Sequence, residues 1–185
     1  MAPVPLPNTL DDLVGYVDAL ELDGVVLTGG NDIATLPGAT NTAPERDRTE
    51  HQLIDWAAAR GVPVLGVCRG MQILVLHHGG TLRPVEGHVA TPHGLVVSDA
   101  APSGVLGPLD AAGSEVNSYH GFGLRPEDLG PTLQVMATAP DGTVEAVAHP
   151  SLRQWGIMWH PERAPFHTRD ADLIRACFSS ERTTS

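Results

Sequence analysis

The sequence has no lysine. All eleven of its basic residues are arginine, against twenty-two acidic ones, for a formal charge of −11 with the nine histidines neutral. In an Ala-, Gly-, Pro- and Arg-rich chain this absence reads as codon preference rather than as protection from a lysine-reactive metabolite. The acidic balance implies a solvated surface and argues against binding a nucleic-acid backbone, which calls for a basic stripe. Aromatic residues are scarce as well, eight in all and unclustered, which argues against a base-stacking platform. Cys68 and Cys177 are too few for the disulfide framework of a small secreted domain. No apolar run approaches the roughly 18 residues of a membrane span, and the N-terminus lacks a basic-then-apolar signal pattern. The expectation is a soluble, cytoplasmic protein without nucleic-acid or membrane partners. Its 185 residues suit one domain, 1–185, able to bury about 70% of its unfolded surface.

What is present is an alternation of helical and strand patterns. Leu10, Leu13, Val14, Val17 and Leu20 share one face of an expected helix over 9–20, with Asn8 as N-cap. Residues 24–28 read as a buried strand closed by Gly29-Gly30. Thr42 is the expected N-cap of a second helix, Glu45 completing a capping box and Pro44 tolerated in the first turn. That helix runs to Arg60 and buries Leu53, Ile54, Ala57 and Ala58. Residues 62–67 form the next strand and 69–78 the next helix. Short joints between these elements imply an α/β domain with a parallel sheet covered on both faces. Beyond residue 81 come short β-runs at 81–85, 94–98, 133–139, 143–148 and 155–159, then a helix over 168–180.

Cys68 stands where a strand ends and a helix begins, between Gly66 and Gly70. This is the cysteine version of a nucleophile elbow, a sharp turn that small flanking residues allow. The helix N-terminus there favours a thiolate, and the Arg69 backbone N–H points where an oxyanion would form. The competing reading is a buried core cysteine. A thiol nucleophile also needs a base and a group to orient it. His160 follows an apolar strand, and Pro161 forces an extended turn that lets Glu162 come back to the imidazole. A lone histidine there would be structural; with Cys68 and Glu162 it makes a candidate triad.

G-V-C-R-G-M-Q at 66–72 and W-H-P-E at 159–162 resemble the class I (triad) glutamine amidotransferase superfamily, within it the γ-glutamyl hydrolase, or peptidase C26-like, branch. L-T-G-G-N-D at 27–32, E-R-D-x-x-E at 45–50, V-N-S-Y-H at 116–120 and A-P-D-G-T-V-E-A at 139–146 extend the likeness over about 24–163. The forms N-S-Y-H-G-F-G and G-I-M-W-H-P-E-R look most like the γ-glutamyl-CDP-amidate hydrolases of that branch. The resemblance implies a flavodoxin-like, parallel-core sheet with helices on both faces. It implies Cys68 as nucleophile, His160 as base and acid, and Glu162 as orienter. It implies an oxyanion hole from the backbones of Gly30 and Arg69, and a glutamyl pocket lined by Gly29, Gln72, Asn117, Ser118, Tyr119 and His120. Arg46 matches the family position near the glutamyl α-carboxylate, where a guanidinium fork is apt. A charged, solvated first helical turn is the plainer account of E-R-D-R-T-E.

The implied reaction is hydrolysis of a γ-glutamyl amide through a γ-glutamyl thioester, without cofactor or metal. His51, His77, His78, His88, His93, His149 and His167 show no tight metal-ligand spacing and read as solvated or structural, and Cys177 as core. Three functions remain open: a free-standing hydrolase of a small γ-glutamyl substrate, a glutaminase subunit feeding ammonia to a separate synthase, or a catalytically silent relative. A homodimer is compatible with each. Family members usually start with a further strand and helix before the P-L-P-N found here at 5–8, so an upstream coding segment carrying them is expected.

Overall fold

Val64–Val67 (β2) is buried at all four positions because a strand runs on each side of it. Val25–Leu27 (β1) pairs with it in parallel on one side, and Gln154–Ile157 (β10) in parallel on the other. The computed structural model describes residues 2–98, 114–164 and 166–179. Val144–Ala148 (β9), Gln134–Thr138 (β8) and Val96–Val97 (β5) continue the sheet in antiparallel pairings, giving the order β1-β2-β10-β9-β8-β5. The sheet is therefore parallel in three strands and antiparallel in the remainder. Small ribbons form between Arg83–Pro84 (β3) and Phe122–Gly123 (β7), and between His93–Gly94 (β4) and Glu115–Val116 (β6). Residues 81–85 and 94–98 are thus shorter strands than expected, and the pairing of β6 and β7 had no period-2 signal in two residues each.

Both faces of the parallel strands are covered. Alternation along β2 sends Val64 to one core and Leu65 and Val67 to the other. Helices Leu13–Ala19 (α1), Pro44–Arg60 (α2) and Arg69–His77 (α3) supply Leu13, Val17, Ile54, Trp56, Ile73 and Leu74 to the first. Thr168–Phe178 (α4) supplies Leu173 and Cys177 to the second. Among the described residues no helix is long and apolar enough to cross a membrane.

Two helix starts differ from expectation. The N-cap of α1 is Asp12, whose Oδ1 accepts from Gly15 N–H at 2.9 Å, whereas the Asn8 carbonyl accepts from Thr49 Oγ1 at 3.0 Å. Ala43, not Thr42, is the N-cap of α2, without a side-chain bond. Pro44 decides this: a residue before proline is pushed out of the helical region, so Ala43 stays outside at φ −138°, ψ 82° and Pro44 takes the first helical position. Thr42 instead bridges Asp32.

Candidate active site

Each of the three parallel strands delivers one part of the site at its carboxyl end, the edge where open α/β sheets bind ligands. Gly29 lies two residues past β1, Cys68 one past β2 and His160 three past β10. Cys68 has φ 51° and ψ −106°, a left-handed conformation that is strained for a residue with a side chain. Its backbone is held at both ends, N–H to Ile157 at 2.7 Å and carbonyl from Gln72 N–H at 3.0 Å. The turn closes only because Gly66 and Gly70 carry no side chain. A Cβ on Gly66 would sit 2.7 Å from Met71 N, and one on Gly70 2.8 Å from Leu27 Cβ.

Gly29 is the wedge of the site. A Cβ there would lie 2.8 Å from His160 Cε1 and 3.8 Å from Cys68 Cβ, so the imidazole and the thiol-bearing carbon flank one bare backbone position. His160 Nδ1 and Glu162 Oε1 are 2.6 Å apart. The imidazole is 5% exposed and Glu162 58%. With Nδ1–H donated to that carboxylate, Nε2 keeps a lone pair for a proton. Tyr119 meets the imidazole edge-on at 5.8 Å, and the Arg163 guanidinium lies 4.1 Å over the Tyr119 ring.

Burial pushes the Cys68 thiol up to about 11, and the Glu162 carboxylate adds to this; the Arg69 backbone N–H and Arg163 oppose it. Burial here opposes the thiolate that a helix N-terminus favours. Attack by sulfur then requires that the proton leave with the reaction.

The remaining expected residues separate by what holds them. Asn117 Oδ1 accepts from His160 N–H at 2.8 Å and Nδ2 donates to His160 O at 2.8 Å. Gln72 Nε2 donates to Phe122 O at 2.9 Å. Ser118 Oγ donates to His88 O at 2.7 Å, and His120 faces Phe122 O and Glu145. Arg46 donates to Glu50, to the Thr28 and Gly29 carbonyls and to Asn31, with Gly30 packed beneath its guanidinium. Tyr119 is thus the one of these side chains set against the imidazole ring.

Two features had no signal in residue spacing. Arg69, 1% exposed, sends its side chain away from the site into Asp47 and Glu50, while Asp47 Oδ2 accepts from Ala34 N–H at 2.9 Å. Two of the three acidic residues of E-R-D-R-T-E are therefore buried partners rather than part of a solvated turn: Asp47 is 8% and Glu50 5% exposed. His88 is buried too, gathered with His93 and His120 around Glu145.

This sheet, with a strained cysteine turn and a histidine–carboxylate pair at its carboxyl edge, has the fold of the class I glutamine amidotransferases. A Thermoplasma acidophilum protein, a candidate component of GMP synthase, superposes with a TM-score of 0.68 over 94% of this chain and 77% of its own, at 20% identity. The chain belongs to the Peptidase C26 family, whose model matches residues 1–162. It is 30% identical to the γ-glutamyl-CDP-amidate hydrolase of Campylobacter jejuni, over 86% of this chain and 71% of that one. It is 34% identical to the γ-glutamyl-γ-aminobutyrate hydrolase of Escherichia coli O157:H7, over 86% and 72% respectively.

Proposed function

We propose that this chain hydrolyses γ-glutamyl amides, with Cys68 as nucleophile, His160 as base and acid, and Glu162 orienting the imidazole. The observation that carries the reading is Gly29 flanked by His160 and by Cys68, itself in a strained turn. His160 Nε2 takes the thiol proton as Sγ attacks the γ-carbonyl carbon. The backbone N–H groups of Arg69 and Gly30 receive the oxyanion. Collapse breaks the C–N bond, and the imidazolium returns its proton to the leaving nitrogen. Water, deprotonated by His160, then opens the thioester, releasing glutamate and the free thiol. Gln72, Asn117, Ser118, Tyr119 and His120 border the glutamyl pocket, and Arg46 supports its floor.

The leaving group we favour is a nucleoside diphosphoramidate, γ-glutamyl-CDP-amidate being the substrate that the name of the Campylobacter relative gives. Arg46, Arg69 and Arg125 are each engaged by acidic or carbonyl partners. Arg163, stacked on Tyr119 beside His160, has no carboxylate partner among the described residues and is the cation left to meet a diphosphate. Glutamate release from γ-glutamyl-CDP-amidate, γ-glutamyl-γ-aminobutyrate and glutamine tests both levels. Cys68→Ala is expected to abolish all turnover, and Arg163→Ala to weaken the diphosphate substrate alone. No release from any amide by the folded chain overturns the hydrolase reading. A preference for γ-glutamyl-γ-aminobutyrate that Arg163→Ala leaves unchanged overturns the finer one.

A further inference from the structure

Glu145 is the second residue of β9 and has no exposed surface, and both its carboxylate oxygens are buried without a hydrogen bond of good geometry. Three imidazoles converge on Oε1: His88 Nδ1 at 3.4 Å, His120 Nε2 at 3.4 Å and His93 Nε2 at 3.5 Å. Each ring turns its outer nitrogen to an acceptor. His88 Nε2 faces the Asp141 carboxylate at 3.2 Å, His93 Nδ1 the Gly94 carbonyl at 3.1 Å, and His120 Nδ1 the Phe122 carbonyl at 3.0 Å. A neutral imidazole has a single N–H. Donated outward, it leaves the inner nitrogen a lone pair aimed at a carboxylate, unpartnered at His93 and His120 and with Ser118 Oγ 3.4 Å away at His88. Three lone pairs and a buried anion then face one another, which is unfavourable unless a cation sits between them or one ring takes up a second proton.

We propose that His88, His93, His120 and Glu145 form a closed site for one divalent transition-metal ion, with zinc the metal that best suits three nitrogens and one carboxylate oxygen. Metal–ligand bonds of about 2.0–2.1 Å set tetrahedral edges of about 3.3–3.4 Å between ligand atoms, close to the three N···O separations. Single ligand atoms of His88, His120 and Glu145 all lie within 4.8 Å of one another. His93 Nε2 faces Glu145 Oε1 from the rim, its side chain 12% exposed, outside that group of three, and completes the set by turning inward when the ion binds. The outward bond from each imidazole to an acceptor is the arrangement that fixes tautomer and ring orientation in metal-bound histidine.

Four protein ligands leave no open coordination position, so the ion is structural. It joins the loop carrying His88, β4 and the segment ending at His120 to β9. That segment also carries Asn117, which holds the His160 backbone. The site does not depend on the substrate reading above.

The full chain, stripped with a chelator and titrated with Co²⁺, tests it. The expected result is a visible d–d spectrum of tetrahedral intensity that saturates at one ion per chain, with zinc displacing cobalt and raising the melting temperature. Glu145→Gln is expected to lose the spectrum. His93→Gln, at the partly exposed rim, covers a folding failure of Glu145→Gln and is expected to weaken Co²⁺ binding about tenfold or more with a native circular dichroism spectrum. His51→Ala combined with His77→Ala, a separate pair with Nδ1 atoms 3.0 Å apart, is expected to leave the spectrum intact. No tetrahedral spectrum from the folded wild type overturns the proposal, as does an unchanged spectrum in His93→Gln or a loss confined to the His51/His77 variant. The carboxylate is then balanced by a protonated imidazole.

Discussion

Asn117 grips the backbone of His160 from both sides, accepting from its N–H and donating to its carbonyl, each at 2.8 Å. The amide is a template for the turn that carries the imidazole, so its value lies in having one acceptor and one donor. Asn117→Asp keeps the acceptor and turns the donor into an anion facing a carbonyl. We expect kcat to fall about 10²-fold, the order of loss that follows a 1 Å misplacement of a reacting group, with KM less affected. A full-rate Asn117→Asp enzyme would show that the turn holds its shape unaided.

Gly29→Ala probes the wedge. Its Cβ would come 2.8 Å from His160 Cε1, closer than non-bonded carbons approach, so the ring or the strand end must move. The expected outcome is a folded protein with glutamate release reduced by about 10² or more. Normal melting with normal activity would count against the geometry of the site.

Arg69→Met tests the buried charge triad. Removing the guanidinium leaves Asp47 buried without a cation and Glu50 with Arg46 alone, each less than one-tenth exposed. Breaking a buried pair in this way costs about 3–5 kcal/mol. Urea denaturation should show a loss of that size, recovered in part by adding Asp47→Asn and Glu50→Gln. The backbone N–H of residue 69 remains, so activity at low temperature is expected to outlast the loss of stability.

Arg46→Ala separates support from substrate binding. Its bonds to Thr28, Gly29, Asn31 and Glu50 predict a positioning residue for the Gly29–Gly30 turn. Such a residue lowers kcat more than it raises KM. A rise in KM with kcat unchanged would return Arg46 to the glutamyl α-carboxylate.

The thiol of Cys68 carries a pH signature. Burial raises it from 9.0 to about 11, so the folded chain keeps a proton over that interval that the unfolded chain has released. Folding stability from this group is complete below about pH 9 and falls as pH rises through about 11, by about 1.4 kcal/mol per unit. Cys68→Ala should flatten the alkaline limb of a pH–stability curve. In parallel, alkylation of Cys68 by a small neutral electrophile should climb through pH 9 without a plateau. A plateau near neutrality would reveal a preformed thiolate.

Much of this protein was legible one residue at a time. The strand-to-helix elbow at Cys68 announces itself because a sharp turn needs small neighbours, and Gly66 and Gly70 are close by in the chain. His160 and Glu162 are two residues apart, so their pairing is local. The alternation of short apolar strands with amphipathic helices indicated the covered parallel sheet for the same reason, since backbone periodicity reports which face is buried. Helix starts were harder to read, because a proline that fixes its neighbour's backbone overrides a good capping side chain, as at Ala43 and Thr42.

What only the tertiary structure decided lies in contacts between distant segments. Residue identity suggested that Asp47 and Glu50 lay in a solvated turn and Arg46 beside a substrate carboxylate, and it gave Arg69 a role through its backbone alone. Packing α2 against α3 made two of them carboxylates for a buried guanidinium and tied Arg46 to the Gly29 turn. His88, His93, His120 and Glu145 are separated by up to 57 positions in sequence and show no ligand spacing, yet four backbone segments bring them around one oxygen. Local chemistry sets which side chains can act; burial and the partners supplied by folding set their charge, orientation and role.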